Sequence, residues 1–119
     1  MPLKILTIED DPAITTFINT LLTFYEMQVL IANDGATGIE LARTESPDLI
    51  LLDLMMPVIN GWEVCHTIRS FSQVPIIVVS AISNRDEIAN ALSVGANVFM
   101  EKPISIEELI AQIKHFTAY

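Results

Sequence analysis

Hydrophobic residues occur in two alternating patterns along the chain. Five short runs are almost continuously apolar, at residues 3–8, 28–32, 49–52, 75–79 and 98–100. The third and fourth runs read LILL and PIIVV. Continuous Val, Ile and Leu without alternation is typical of strands that are buried on both faces. The runs therefore predict five strands of a parallel sheet.

The segments between these runs carry the three-and-four spacing of amphipathic helices. The clearest stripes are Ile14, Phe17, Ile18, Leu21, Leu22 and Tyr25, and later Ile106, Leu109, Ile110 and Ile113. Shorter helices are predicted at 37–44, 62–70 and 85–94. Candidate helix caps are Asp11, Ser83, Asn84 and Ser105, the last in a capping box with Glu108. Alternating strands and helices predict an α/β domain with helices on both faces of the sheet and right-handed crossovers.

Composition narrows the class of protein. The 119 residues suit one domain, and 51% hydrophobic residues exclude intrinsic disorder. No apolar run approaches the ~18 residues of a membrane span, so we expect no membrane contact. A net charge of −9 repels phosphate backbones and argues against direct contact with nucleic acid. A single cysteine, Cys65, and the lack of a signal-peptide pattern favour the cytoplasm.

Chemically active residues follow four of the predicted strands, where ligands bind in parallel α/β sheets. These residues are Glu9, Asp10 and Asp11 after the first run, Asp53 after the third, Ser80 after the fourth and Lys102 after the fifth. If strands one and three are neighbours, about 4.8 Å apart, Glu9, Asp10 and Asp53 crowd into one pocket. Like charges so close need a counter-charge, and Mg²⁺ prefers carboxylate oxygens. The pattern therefore favours a Mg²⁺ site.

An anion is expected to complete this site, bridging the metal, Lys102 and the Ser80 hydroxyl. An aspartate can itself attack phosphorus, and phosphoryl transfer depends mainly on positioning and charge neutralisation. From the residues alone, two simpler interpretations stay open. Residues 9–12 can serve only as the cap of the first helix, and Asp53 can be a turn residue before Pro57.

Four segments together resemble the receiver domain of two-component response regulators. They read ILTIEDDP, DLILLDLMMPVINGWEV, PIIVVSA and VFMEKP, fall in the family's order and spacing, and span nearly the whole chain. The resemblance implies one receiver domain over residues 1–119. It also implies a flavodoxin-like, doubly wound (βα)₅ fold with strand order 2-1-3-4-5.

The resemblance implies a role for each acidic residue of the site. Asp53 looks like the phosphoacceptor. Glu9 and Asp10 look like the acidic pair that holds Mg²⁺ together with Asp53. Met55, two residues after Asp53, matches the position whose backbone carbonyl completes the metal shell.

Four further positions match residues that bind the phosphoryl group or respond to it. Ser80 matches the hydroxyl residue that hydrogen-bonds the phosphoryl group, and Lys102 matches the lysine that pairs with it. Phe99 matches the aromatic residue that turns inward on activation. The Lys102–Pro103 peptide bond matches one that is commonly cis in the family.

The implied function is a signalling switch. A sensor histidine kinase or a histidine phosphotransfer protein passes a phosphoryl group to Asp53, which changes the face formed by helix four, strand five and helix five. The domain catalyses its own phosphorylation and dephosphorylation, and the sequence does not identify its output partner or effector domain.

Three alternatives come from other classes of protein. A pseudo-receiver would only bind partners, although all the key residue types are present here. A flavin-binding flavodoxin-like protein is disfavoured, because residues 9–11 would repel the flavin phosphate. A phosphohydrolase of the haloacid-dehalogenase type carries a second aspartate where this chain has Met55.

Overall fold

The computed structural model describes residues 2–117 and confirms the predicted fold class. Within that range the strands are β1 Lys4–Ile8, β2 Gln28–Ala32, β3 Leu49–Leu52, β4 Ile76–Ser80 and β5 Val98–Glu101. The helices are α1 Pro12–Phe24, α2 Gly35–Glu45, α3 Gly61–Arg69, α4 Arg85–Ser93 and α5 Ile106–Phe116. The strands are parallel in the order β2-β1-β3-β4-β5, which is the order that the resemblance implies. The domain predicted over 1–119 includes Met1, Ala118 and Tyr119, which lie outside the described residues.

Helix and strand ends differ from the predicted ones by one or two residues. Helix α2 begins two residues early because the Asp34 side chain caps it, accepting the Thr37 N–H at 2.7 Å. Ser80 is the last residue of β4 rather than the first residue after it, because it still pairs with Glu101 of β5. Strand β5 likewise continues one residue beyond its predicted end.

Most of the predicted helix caps are confirmed. Asp11 accepts the Ala13 N–H at 2.9 Å, and Ser105 accepts the Glu108 N–H at 3.3 Å. Ser83 is not a cap, because the Asn84 side chain accepts the N–H groups of both residues 86 and 87. The side chain at the N-cap position itself reaches these donors, so Ser83 lies one residue too early.

Two hydrophobic layers cover the two faces of the sheet. One contains buried residues of α2, α3 and α4, and the other contains those of α1 and α5. Every residue of β3 and β4 is buried, as their uninterrupted apolar sequences predict. In the range 2–117, none of the helices combines the length and apolarity needed to cross a membrane.

Candidate metal and phosphoryl site

The carboxylates of Glu9, Asp10 and Asp53 meet beyond the carboxyl ends of β1 and β3. These strands are neighbours, and their register pairs Ile8 with Leu52, so Glu9 and Asp53 follow paired residues. One carboxylate oxygen from each acid lies within 4.8 Å of the other two. Glu9 and Asp53 are only 4% and 5% exposed, whereas Asp10 is exposed. Strands β1 and β3 are therefore neighbours, as the predicted acidic pocket requires.

The backbone at Asp53 is held in place from two sides. Its N–H donates to the carbonyl oxygen of Ile8 at 3.0 Å. The loop that follows folds back, and the Gly61 N–H donates to the carbonyl oxygen of Leu54 at 2.9 Å. A side chain at Gly61 would collide with the backbone oxygen of Asp53, so only glycine permits this approach. Helix α3 therefore begins directly against the acidic site.

Lys102 reaches the acidic pocket from β5. Its Nζ lies 2.7 Å from Oε1 of Glu9 and 3.7 Å from Oδ1 of Asp53. The Lys102–Pro103 peptide bond is cis, as the resemblance implies. The lysine thus supplies counter-charge to the carboxylates themselves. Sequence reasoning assigned Lys102 to an anion and missed its ion pair with Glu9.

Burial dominates the ionisation of Glu9. Loss of hydration raises the pKa of this carboxyl group to about 7. The negative charge of Asp53 acts in the same direction, and the hydrogen bond from Lys102 opposes both without cancelling them. The Glu9 carboxyl group therefore changes between its protonated and ionised forms near neutral pH.

Three further predicted site residues, Ser80, Met55 and Phe99, differ in how far they are buried. Ser80 is fully buried at the end of β4, and its Oγ accepts the N–H of Ile82 at 3.4 Å. The Met55 side chain is 61% exposed. Phe99 is half-buried and packs against the core layer that contains α3 and α4. The structure therefore brings together Glu9, Asp10, Asp53 and Lys102, and it places Ser80 at the same edge of the sheet.

Two features near the site were not predicted from the sequence. Val58 has φ +67° and a fully exposed side chain, and no local pattern signals a β-branched residue in this conformation. Trp62 donates its indole N–H to the carbonyl oxygen of Glu87 in α4 at 3.3 Å. The tryptophan itself was a usable signal, because an indole N–H that becomes buried generally finds a hydrogen-bond acceptor.

Comparison with known sequences identifies relatives across almost the whole chain. The family model described as the response regulator receiver domain matches residues 5–114. Response regulator ArlR of Staphylococcus saprophyticus is 42% identical over 111 residues, covering 93% of this chain and 50% of that protein. Response regulator MprA of Mycolicibacterium vanbaalenii is 36% identical over 115 residues, covering 96% and 50%. The chain therefore spans about half the length of these relatives.

Solved structures agree with this result. The BeF₃-activated N-terminal receiver domain of Klebsiella pneumoniae RstA has a TM-score of 0.91 and 30% identity, covering 95% of this chain and 97% of that one. A two-component response regulator from Clostridium difficile has a TM-score of 0.93 and 27% identity, covering 96% and 94%. Together with the family match and the acidic site, these similarities show that the chain belongs to the response regulator receiver domain family of two-component systems.

Proposed function

We propose that residues 1–119 form one receiver domain that acts as a phosphoacceptor switch, with Asp53 as the acceptor. The observation that carries this proposal is the position of Asp53. Its carboxylate is nearly buried, lies with the carboxylates of Glu9 and Asp10 in one cluster, and has the Lys102 ammonium 3.7 Å away. A nucleophile for a phosphoryl group needs such a supply of neighbouring positive charge.

The acidic cluster suits Mg²⁺. The carboxylates of Glu9, Asp10 and Asp53, with the backbone carbonyl of Met55, would hold the ion, and hard divalent cations prefer such oxygen ligands. The spread of at most 4.8 Å between the carboxylate oxygens is compatible with shared coordination. When bound, Mg²⁺ supplies positive charge that neutralises the oxygens of the transferring phosphoryl group.

The proposed transfer moves one phosphoryl group. An Oδ atom of Asp53 attacks the phosphorus of a phosphohistidine on a sensor histidine kinase or a histidine phosphotransfer protein. A new P–O bond forms, and the P–N bond breaks with its electron pair remaining on the imidazole, which takes up a proton where pH requires. In dephosphorylation, water takes the phosphoryl group from Asp53 and inorganic phosphate leaves. The domain thus acts on itself rather than turning over a substrate.

Lys102 and Ser80 connect the transfer to a change of shape. The new phosphoryl oxygens attract the Lys102 ammonium away from Glu9 and accept a hydrogen bond from the Ser80 hydroxyl, whose oxygen accepts the Ile82 N–H. Movement of Ser80 displaces the loop at 81–84 that leads into α4, and Phe99 turns inward to fill the space. The face formed by α4, β5 and α5 changes as a result, by a shift in population between two packings.

This face would bind an output partner or an effector domain. We expect the domain itself to make no direct contact with nucleic acid, because its net charge of −9 repels phosphate. We also assign it to the cytoplasm without membrane contact, where a kinase can reach it.

Intact-protein mass spectrometry after incubation with acetyl phosphate and Mg²⁺ tests the assignment. We expect the native protein to gain one phosphoryl group and Asp53→Asn to gain none, because the amide is not a nucleophile for phosphorus. Asp48→Asn is a matched control, since Asp48 is exposed just before the opposite end of the same strand. A phosphoryl group on Asp53→Asn, or equal gain by the native protein without Mg²⁺, would contradict the proposal.

A further inference from the structure

Helix α4 has little apolar surface of its own to hold it on the sheet. The structure describes all nine of its residues, and among them only Ala91 is buried. Ile88 is half-buried, and the other residues of the helix are exposed. Since most helices in proteins are stabilised by packing of an apolar face, the position of α4 depends on contacts from elsewhere.

Three side chains of α3 provide such contacts. Trp62, Cys65 and Arg69 have the spacing of one helix face, and we call them the α3 stripe. Each donates a hydrogen bond to a backbone carbonyl oxygen in α4 or just after it. Trp62 donates to residue 87 at 3.3 Å, Cys65 to residue 94 at 3.7 Å and Arg69 to residue 95 at 3.0 Å.

The α3 stripe holds the two ends of α4 unequally. At the C-terminal end, the Arg69 guanidinium also donates to Oδ1 of Asn97 at 2.9 Å, and that oxygen accepts the Ile76 N–H at 2.8 Å. Ala96 is buried beside these bonds. At the N-terminal end, the Trp62 bond is neutral, long and exposed, which makes it weaker than the bonds from a charged guanidinium.

Both residues of the Trp62–Glu87 bond lie near the starts of helices that follow site residues in the chain, α3 after Asp53 and α4 after Ser80. Trp62 follows Gly61, whose backbone lies against that of Asp53. Glu87 lies in the first turn of α4, which follows the loop at 81–84 after Ser80. A displacement of this loop therefore acts first on the end of α4 that Trp62 holds.

We propose that the hydrogen bond from Trp62 to Glu87 acts as a latch on the first turn of α4. This bond breaks when the Asp53 site is occupied, and the helix then turns about its C-terminal end, which Arg69 holds. This inference rests on the proposed function, because it requires a ligand at Asp53 that moves the loop. Trp62 is then a positioning residue. It favours the unoccupied arrangement and so opposes occupancy of the site by an equal amount of free energy.

The substitution Trp62→Phe tests the latch with beryllofluoride and Mg²⁺ as the probe. Phenylalanine keeps an aromatic ring against the core but removes the indole donor. Since the latch bond is present only before binding, its loss should tighten the apparent affinity for beryllofluoride by about 2- to 10-fold, the worth of one neutral hydrogen bond. Bound probe is measured by fluorine NMR, and thermal unfolding checks that the variant is folded.

Trp62 also reports on the latch directly, because it is the only tryptophan in the sequence. Addition of beryllofluoride to the native protein should shift its fluorescence to longer wavelength and increase acrylamide quenching, because the opened indole meets more water. Glu63→Gln is the control variant, since Glu63 is exposed on the same helix. It should show both the native affinity and the native shift in fluorescence.

The outcomes separate this inference from the function on which it rests. Native protein that binds no beryllofluoride would contradict the proposed function, and the latch would fall with it. Binding that Asp53→Asn abolishes, but with equal affinity in folded Trp62→Phe or unchanged Trp62 fluorescence, would overturn the latch alone. A tighter Trp62→Phe complex with the expected fluorescence change supports it.

Discussion

Glu9 shows how burial and pairing compete at a single residue. It is 4% exposed and lies 2.7 Å from Lys102, yet burial still raises its pKa to about 7. The sequence predicts Glu9 at the acidic pocket because it follows a strand. Its pairing with Lys102 was not predictable in this way, since the two residues are 93 positions apart and follow strands β1 and β5, which are not neighbours in the sheet.

The raised pKa predicts how metal-free protein responds to pH. Between its ordinary pKa of 4.5 and about 7, folded Glu9 retains a proton that unfolded Glu9 has released. The free energy of unfolding should therefore fall by about 2–3 kcal/mol as pH rises from 4.5 through 7. Urea unfolding in the presence of a chelator, at several pH values, measures this change.

Glu9→Gln removes the titrating group while preserving the size of the side chain. The decline in stability over this pH range should be much smaller in the variant. An equal decline in the native protein and in Glu9→Gln would assign the pH dependence to other groups.

At the scale of elements, strands and helices were predictable and the β3–α3 loop was not. Buried strands and amphipathic helices leave contiguous patterns of apolar residues, which is why their ends were located within one or two residues. The loop contains a three-residue turn in which the Ile59 N–H donates to the carbonyl oxygen of Pro57 at 2.9 Å, across Val58 with φ +67°. Such a turn is rare and strained, and valine is a poor residue for it.

Val58→Gly should therefore stabilise the protein. Glycine adopts positive φ without the steric cost that a β-branched residue meets, and the fully exposed Val58 side chain has little packing to lose. After allowance for the greater freedom of glycine in the unfolded chain, we expect the free energy of unfolding to rise by about 0.5–1 kcal/mol. Chemical denaturation measures the difference.

Val58→Ile is the matched control, because it keeps both the branched Cβ and the strain. Its stability should stay near that of the native protein. A glycine variant that is no more stable than the isoleucine variant would show that the turn carries little strain.

At the scale of the whole molecule, excess negative charge acts against the compact state. Fifteen acidic residues face six Lys and Arg, and three of the acids meet at one site. Self-repulsion of this kind is weakened by salt in general, whereas a specific ion at the acidic site adds binding free energy to the folded state. Screening by salt does not depend on any one acidic residue, whereas the effect of a specific ion should appear at a lower concentration and depend on the residues of the acidic site.

Thermal unfolding should separate them. NaCl should raise the melting temperature gradually, and millimolar MgCl₂ should raise it by a few degrees more than NaCl of equal ionic strength. The magnesium-specific part should largely disappear in Asp53→Asn and persist in Asp48→Asn. Equal responses to the two salts, or a magnesium effect that survives Asp53→Asn, would contradict a specific site at Asp53.

Local sequence was sufficient for the class of fold, the approximate elements and the identity of the acidic residues. Apolar periodicity is a property of neighbouring residues, and the family resemblance rests on short motifs with fixed spacing. The contacts that give the site its character were not local. The Lys102–Glu9 pair and the Trp62–Glu87 bond join residues 93 and 25 positions apart. Whether such groups bond depends on differences of less than an ångström in the packing of helices and strands, and those distances exist only once the chain has folded.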